Sequence, residues 1–173
     1  MTSQSSGDRT QHRSTANLPN DPHDLQRFVD AQSPVHERAL VEIRGGQKRS
    51  HWMWYVFPQY AGLGSSPTSM KFAIVSIAEA KAYLRHDVLG PRLMECSEAL
   101  LVIEGRSAHQ IFGADDVKLQ SCATLFARVS PAGSAFHRIL DRFFEGEPDG
   151  KTLALMEGGS PADSPAGGGS GPT

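Results

Sequence analysis

The residues best suited to chemistry lie in one short segment, KRSHWMWYVFPQYAGLGSS, which spans residues 48–66. It contains two cations, one imidazole and both tryptophans of the chain: Lys48, Arg49, His51, Trp52 and Trp54. Ammonium and guanidinium groups bind phosphates and carboxylates, and the face of an indole can stack on a planar ring. The combination predicts a binding site for an anionic small molecule that also has a planar part.

The charge around this segment is one-sided. Residues 43–78 contain no Asp or Glu, whereas four residues in this range are cationic: Arg44, Lys48, Arg49 and Lys71. A local positive field of this kind favours an anionic ligand. The whole chain has a formal net charge of -2 at pH 7, so the preference for anions must be local.

Two further features of the segment could contact a ligand. Gln59 can donate and accept hydrogen bonds, and the turn at residues 62–66 could bring Gly62 and Gly64 close to an anion. The turn lacks the lysine that ends a P-loop and the third glycine of a dinucleotide-binding fingerprint, and no credible strand precedes it. We therefore interpret it as a flexible turn that could wrap an anion.

His51 is the candidate catalytic residue, because an imidazole titrates near neutral pH and can act as a general acid or base. No carboxylate within the segment can orient its ring, so Asp115 or Asp116 would have to approach it in the fold. Both acids have another explanation, since acidic residues in the first turn of a helix favour its dipole. The histidines and cysteines lack the close spacing of metal ligands, and we predict neither a metal nor a cofactor.

The same residues also have a purely structural explanation. Large aromatic side chains bury well, so Trp52 and Trp54 could be packing residues, and Lys48 and Arg49 could lie on a solvated turn. The coincidence of cations, aromatic rings, an imidazole and a glycine turn in one short segment favours a site.

Helix signals surround the segment on both sides. Apolar residues recur at spacings of three and four, and Asp21, Ser33, Ser76 and Ser107 are candidate N-caps. Convincing strand patterns are absent, and residues 52–57, WMWYVF, are interpreted as an irregular or single-turn helical segment. The sequence predicts an all-α fold, a single irregular bundle of about six to eight short helices.

Composition changes at both ends of the 173-residue chain. Residues 1–20 lack the apolar core of a secretory signal, and residues 157–173 are rich in Gly, Ser and Pro without apolar periodicity. We predict disordered tails at both ends of one helical domain, residues 21–156. No apolar stretch is long enough to span a bilayer, and Cys96 and Cys122 fit buried thiols, which favours a cytoplasmic protein with no membrane partner.

Five strings carry a resemblance to a known family: DLQRFVDAQ, SHWMWYVFPQYAGLGSS, VLGPRL, IFGADDVKLQSCATLF and LDRFFEGEPDGKTL. Over residues 24–155 the chain resembles the bacterial family catalogued as domain of unknown function eighteen-ten, whose members are sometimes labelled calpastatin. The resemblance implies a small all-helical fold and no particular activity. It also implies that Lys118, which lies in one of these strings, belongs to the same site as the tryptophan-rich segment.

Two functional hypotheses follow. In the first, Lys48, Arg49 and Lys118 hold the anionic group of a nucleotide or a nucleotide-derived metabolite such as ADP-ribose. Trp52 or Trp54 stacks on the planar part of the ligand, and His51 and Gln59 form hydrogen bonds to it. Any turnover would be hydrolysis, with His51 as the acid or base. In the second, the tryptophan-rich segment anchors a helical protein–protein interaction module, which would place the indoles on an exposed surface. Nucleic acid ranks last as a partner, because the segment has too few cations for several phosphate contacts.

Overall fold

The computed structural model describes residues 20–158, which form ten α-helices joined by turns and loops. In chain order they are α1 (Gln26–Gln32), α2 (His36–Arg44), α3 (Met53–Val56), α4 (Pro67–Lys71), α5 (Ile77–Arg85), α6 (Leu89–Leu101), α7 (Ala108–Phe112), α8 (Asp116–Arg128), α9 (Ala135–Phe144) and α10 (Gly150–Glu157). Within these residues there is no strand, and one isolated parallel bridge joins Tyr60 to Ile74. The prediction of an all-α fold is confirmed.

Two very short helices, α3 and α4, bring the count above the predicted six to eight. Helix α3 occupies the WMWYVF segment, where the sequence suggested an irregular or single-turn helical structure. Helix α4 was not predicted. Its start has recognisable signals, because Ser66 accepts a hydrogen bond from the Ser69 amide and Pro67 lies in the first turn, but none of its five residues is buried. Apolar periodicity therefore gave no indication of it.

The predicted N-caps of α5 and α7 are present. Ser76 accepts the backbone N–H of Glu79, and Ser107 forms a reciprocal capping box with Gln110. Glu79 does not complete the corresponding box in α5. Its Oε2 instead accepts the backbone N–H of Val75 at 2.8 Å, so this carboxylate also holds the chain that enters the helix.

The other two predicted N-caps act differently. The carboxylate of Asp21 accepts the backbone N–H groups of Leu25 and Gln26, at 2.7 and 2.9 Å, so α1 begins only at Gln26. Ser33 donates from Oγ to the carbonyl of Val29 and closes α1. Helix α2 consequently starts without a side-chain cap.

Helix α8 lies at the centre of the core. Every residue from 121 to 127 is buried, and the helix contacts α7, α9 and α10. Helix α6 packs against α2, α5 and α9, so α9 lies in contact with both α6 and α8. Cys96 and Cys122 are free and buried on these two helices, as the sequence suggested.

The predicted domain limits are only partly within the described residues. The helices lie between Gln26 and Glu157, whereas residues 1–19 and 159–173 are outside the described range, so the limits 21–156 and the two tails stay predictions. Among residues 20–158, no helix combines the length and the apolar character needed to cross a membrane.

Candidate functional site

Lys48 and Lys118, which are far apart in sequence, meet at one carboxylate. Lys48 Nζ lies 3.0 Å from Oδ2 of Asp115, and Lys118 Nζ lies 2.8 Å from Oδ1 of the same residue. Lys48 belongs to the loop after α2, and its backbone N–H fixes that loop by donating to the carbonyl of Ile111 at 2.7 Å. Lys118 lies in the first turn of α8. We call Lys48, Asp115 and Lys118 the charged triad.

The charged triad is partly shielded from water, since its side chains are 10%, 23% and 26% exposed in that order. Burial on its own would raise the pKa of Asp115, but the two ammonium groups outweigh this effect and hold the pKa below its usual range. Two cations share one anion, which leaves one positive charge in excess within the triad. The next carboxylate along the chain, Asp116, is paired with the exposed ring of His109 at 3.3 Å.

Each lysine of the triad also lies over a different indole. Lys48 Nζ is 5.2 Å from the ring centroid of Trp52, and Lys118 Nζ is 5.8 Å from that of Trp54, distances typical of cation–π contacts. Trp52 is 0% exposed, whereas Trp54 is half-buried. Trp54 therefore has ring surface that a ligand can reach, and Trp52 has none.

Glu42 holds the loop that carries these residues, and sequence analysis missed it. Its carboxylate, on a residue that is 8% exposed, accepts the backbone N–H groups of Arg49 and Ser50 at 2.5 and 2.8 Å. It also accepts Ser50 Oγ–H at 2.5 Å and Trp52 Nε1–H at 3.1 Å. Desolvation raises the pKa of Glu42, but the four hydrogen bonds outweigh desolvation and lower the pKa to about 2. One feature of the sequence could have revealed the buried position of Glu42: it lies three residues after Ala39, on the apolar face of α2.

Arg49 and His51 are exposed, and neither joins the charged triad. Among the described residues, no hydrogen bond to the imidazole ring of His51 is found. The two acids expected to orient this ring have other partners: Asp115 contacts the lysines and Asp116 contacts His109. The structure thus brings His51 to neither carboxylate.

Gln59, Gly62 and Gly64 line a different surface, a cleft of about 450 Å³ whose lining residues include no member of the triad. We call it the glycine-turn cleft; its lining residues are 59–62, 64, 65, 69, 70, 73 and 75. Backbone conformation favours glycine at the first position, and the close approach of a side chain favours it at the second. Gly62 has φ +101°, and a Cβ at Gly64 would lie 2.6 Å from Ser69 Oγ. The glycines shape the wall of the cleft, and the predicted site residues divide between two places.

Comparison with known proteins identifies the family of the chain. The sequence profile of the family described as "Protein of unknown function (DUF1810)" matches residues 22–156, a range that contains the charged triad and the glycine-turn cleft. The chain belongs to this family. The match confirms the resemblance to the family catalogued as eighteen-ten, and the family's description assigns no activity.

This chain is also similar to a solved crystal structure, that of the conserved hypothetical protein Rv1873 from Mycobacterium tuberculosis. It is 51% identical in sequence, the alignment covers 79% of this chain and 99% of that one, and the TM-score is 0.78. No curated protein matches the chain. The DUF1810 fold is therefore established for this protein, while its function must be argued from the chemistry of its own residues.

Glu42 makes the stability of this DUF1810 protein sensitive to acid. Because folding lowers the pKa of Glu42 from 4.5 to about 2, the stabilisation is fully present above pH 4.5 and is lost as the pH falls through about 2. We expect Glu42→Gln to be less stable than the wild type at pH 7, with a difference that shrinks toward pH 2. Urea unfolding between pH 7 and pH 2 measures this. Glu104→Gln, a change at an exposed acid, is the control. If its stability relative to the wild type changed with pH as much as that of Glu42→Gln, a specific role for Glu42 would be contradicted.

Proposed function

We propose that the protein binds an anionic small molecule at the charged triad. The observation that carries the proposal is that two ammonium groups share a single carboxylate. Each ammonium has three N–H donors, and the contacts among residues 20–158 give each of them one acceptor, an oxygen of Asp115. An oxygen of a phosphate or carboxylate ligand would accept from the remaining donors and neutralise the excess positive charge.

Trp54 supports a ligand that also has a planar part. Its half-buried indole lies beside Lys118, so a ring that stacks on Trp54 would bring an attached anionic group toward the ammonium. The N-terminus of α8, a helix of 13 residues, adds a favourable dipole on the same side as Lys118. Nucleotides and nucleotide-derived metabolites such as ADP-ribose combine these two features.

Binding has better support than turnover. His51 is exposed and has no carboxylate partner among the described residues, and Ser50, the nearest hydroxyl in sequence, donates to Glu42. An imidazole without an orienting group is a poor general base. We therefore include Lys48, Lys118 and Trp54 in the proposed site and leave hydrolysis by His51 out of it.

The alternative hypothesis, an interaction module anchored by the tryptophans, has less support. A binding hot spot needs an indole that a partner can cover, and Trp52 is 0% exposed. Trp54 is half-buried between Lys118 and the core, and one such residue does not form an exposed aromatic patch.

Calorimetric titration with ADP, ADP-ribose and inorganic phosphate tests the proposal. We expect Lys118→Gln to weaken ADP binding about tenfold or more, because hydrogen bonds to charged groups contribute roughly 1.5–3 kcal/mol. Lys81→Gln, a change at an exposed lysine on α5, serves as the matched control and should leave ADP affinity unchanged. Equal affinities for Lys118→Gln and wild type, or no binding by any of the three anions, would reject the charged triad as the site.

A further inference from the structure

We propose a second binding site in the glycine-turn cleft, for an uncharged molecule that combines an apolar body with an amide-like edge. The cleft has a volume of about 450 Å³, which is within the range of small-molecule pockets. Neither lysine of the charged triad lines it, so this site is independent of the anion site proposed above.

The floor of the cleft is held rigidly. The bridge between Tyr60 and Ile74 is closed by two backbone hydrogen bonds: Ala61 N–H donates to the carbonyl of Ile74 at 2.8 Å, and Ile74 N–H donates to the carbonyl of Gln59 at 2.9 Å. Arg27 holds the wall at residues 73–75, because its guanidinium donates a hydrogen bond to the carbonyl of Ala73 at 2.9 Å. A preformed cleft requires little ordering when a ligand binds, which favours affinity.

The lining of the cleft selects against charge. It contains no Asp, Glu, Lys, Arg or His, so a charged ligand would lose its hydration without gaining an ionic partner. Met70 and Val75 are 66% and 47% exposed at the wall, and their apolar surface would be buried by a ligand. These two features together favour a neutral ligand with an apolar body.

Gln59 supplies the polar recognition. Its side chain is half-buried at the cleft, and its carboxamide has no hydrogen-bond partner among the described residues. Ser69, the other polar residue that is partly buried there, is already engaged with Ser66. A free carboxamide presents a donor and an acceptor side by side, and it pairs in two-point fashion with another amide or with the donor–acceptor edge of a heterocycle.

Three compounds of the same shape and different charge provide the probes: benzamide, benzoate and benzamidinium. We expect benzamide to shift the ¹H–¹⁵N resonances of residues 59–65 and 69–75 and of the Gln59 side-chain amide, with a Kd on the order of 1 mM. Benzoate and benzamidinium should shift these resonances at least several-fold more weakly, because the lining offers no counter-charge. Binding of either ion at this cleft as tightly as benzamide would overturn the proposal.

Two variants distinguish the amide contact from the cleft itself. Gln59→Leu should weaken benzamide binding about fivefold through loss of neutral hydrogen bonds, and Ala73→Leu should abolish binding by filling the cleft. Gln47→Leu, at an exposed glutamine outside the cleft, should bind as the wild type does. The amide-edge proposal is rejected if Gln59→Leu binds benzamide normally, and the site itself is rejected if Ala73→Leu does. Failure of this titration would leave the ADP titration unaffected, since the two use different ligands and different residues.

Discussion

Replacing Trp52 by alanine is expected to lower the free energy of unfolding by about 3–5 kcal/mol, the usual cost of removing a buried large aromatic side chain. Trp54→Ala is expected to lower it by about 1–2 kcal/mol or less. The two residues are two positions apart in an aromatic segment, and composition gives no reason to distinguish them. Burial does, because Trp52 is 0% exposed and Trp54 is half-buried.

The packing around Trp52 explains its larger effect. Its ring lies between Phe57 and Phe112, with centroid distances of 6.3 Å to each, so truncation to alanine leaves a cavity inside the aromatic core. Truncation also removes the indole N–H that Glu42 accepts at 3.1 Å. Trp54→Ala removes a contact with the partly exposed Lys118 and the packing of a half-buried ring against the core, so a smaller apolar surface is lost than at Trp52.

Urea unfolding of the two variants at pH 7 measures the difference, and ADP titration of the same proteins links it to function. A loss of ADP affinity in Trp52→Ala would report damage to the core, whereas a loss in the folded Trp54→Ala protein would report stacking at the charged triad. Similar urea midpoints for the two variants would contradict the assignment of Trp52 to the core and of Trp54 to the surface.

Local patterns in the sequence were sufficient for most of the fold. The caps Ser76 and Ser107 act within one turn of chain, so residue type and spacing reveal them directly. Helix α4 was missed because it buries no residue, and two caps were assigned wrongly because their side chains bond to other nearby backbone groups. Asp21 accepts hydrogen bonds from the amides of Leu25 and Gln26, so α1 begins later than predicted. Ser33 donates to the carbonyl of Val29 at the end of α1 and therefore does not cap α2.

The candidate site was less predictable, because its defining contacts join distant segments. The sequence indicates Lys48, and the family resemblance indicates Lys118. For Asp115, the carboxylate that joins them, the sequence suggests only a helix-dipole residue or a partner of His51. Glu42 is the clearest omission. Its carboxylate accepts four hydrogen bonds, and three of the donors lie in the loop after α2, which packs against Glu42 only in the folded chain. In the sequence, Glu42 therefore resembles any other acid on a helix.

Arg27 and Glu79 form the buried ion pair that holds the glycine-turn cleft in place. Arg27 Nη2 lies 2.8 Å from Glu79 Oε1, and the side chains are 15% and 2% exposed. The other guanidinium N–H groups donate to four backbone carbonyls, those of His23, Asp24, Lys71 and Ala73, at 2.8–2.9 Å. All five donors of the guanidinium are thus used, and a lysine cannot reproduce that fork.

Arg27→Met is expected to lower the free energy of unfolding by about 3–5 kcal/mol, because it leaves the carboxylate of Glu79 buried without a counter-charge. The double variant Arg27→Met/Glu79→Leu should recover part of the loss, since removal of both partners leaves no isolated charge. Urea unfolding of the single and double variants measures the coupling between the two residues.

Benzamide titration of the folded double variant then tests the connection to binding. If Arg27 fixes the wall at residues 73–75, the double variant should bind more weakly even where its stability is restored, because its cleft must be ordered by the ligand. If Arg27→Met were as stable as the wild type, Glu79 would not depend on Arg27 as its counter-charge, which would contradict the prediction.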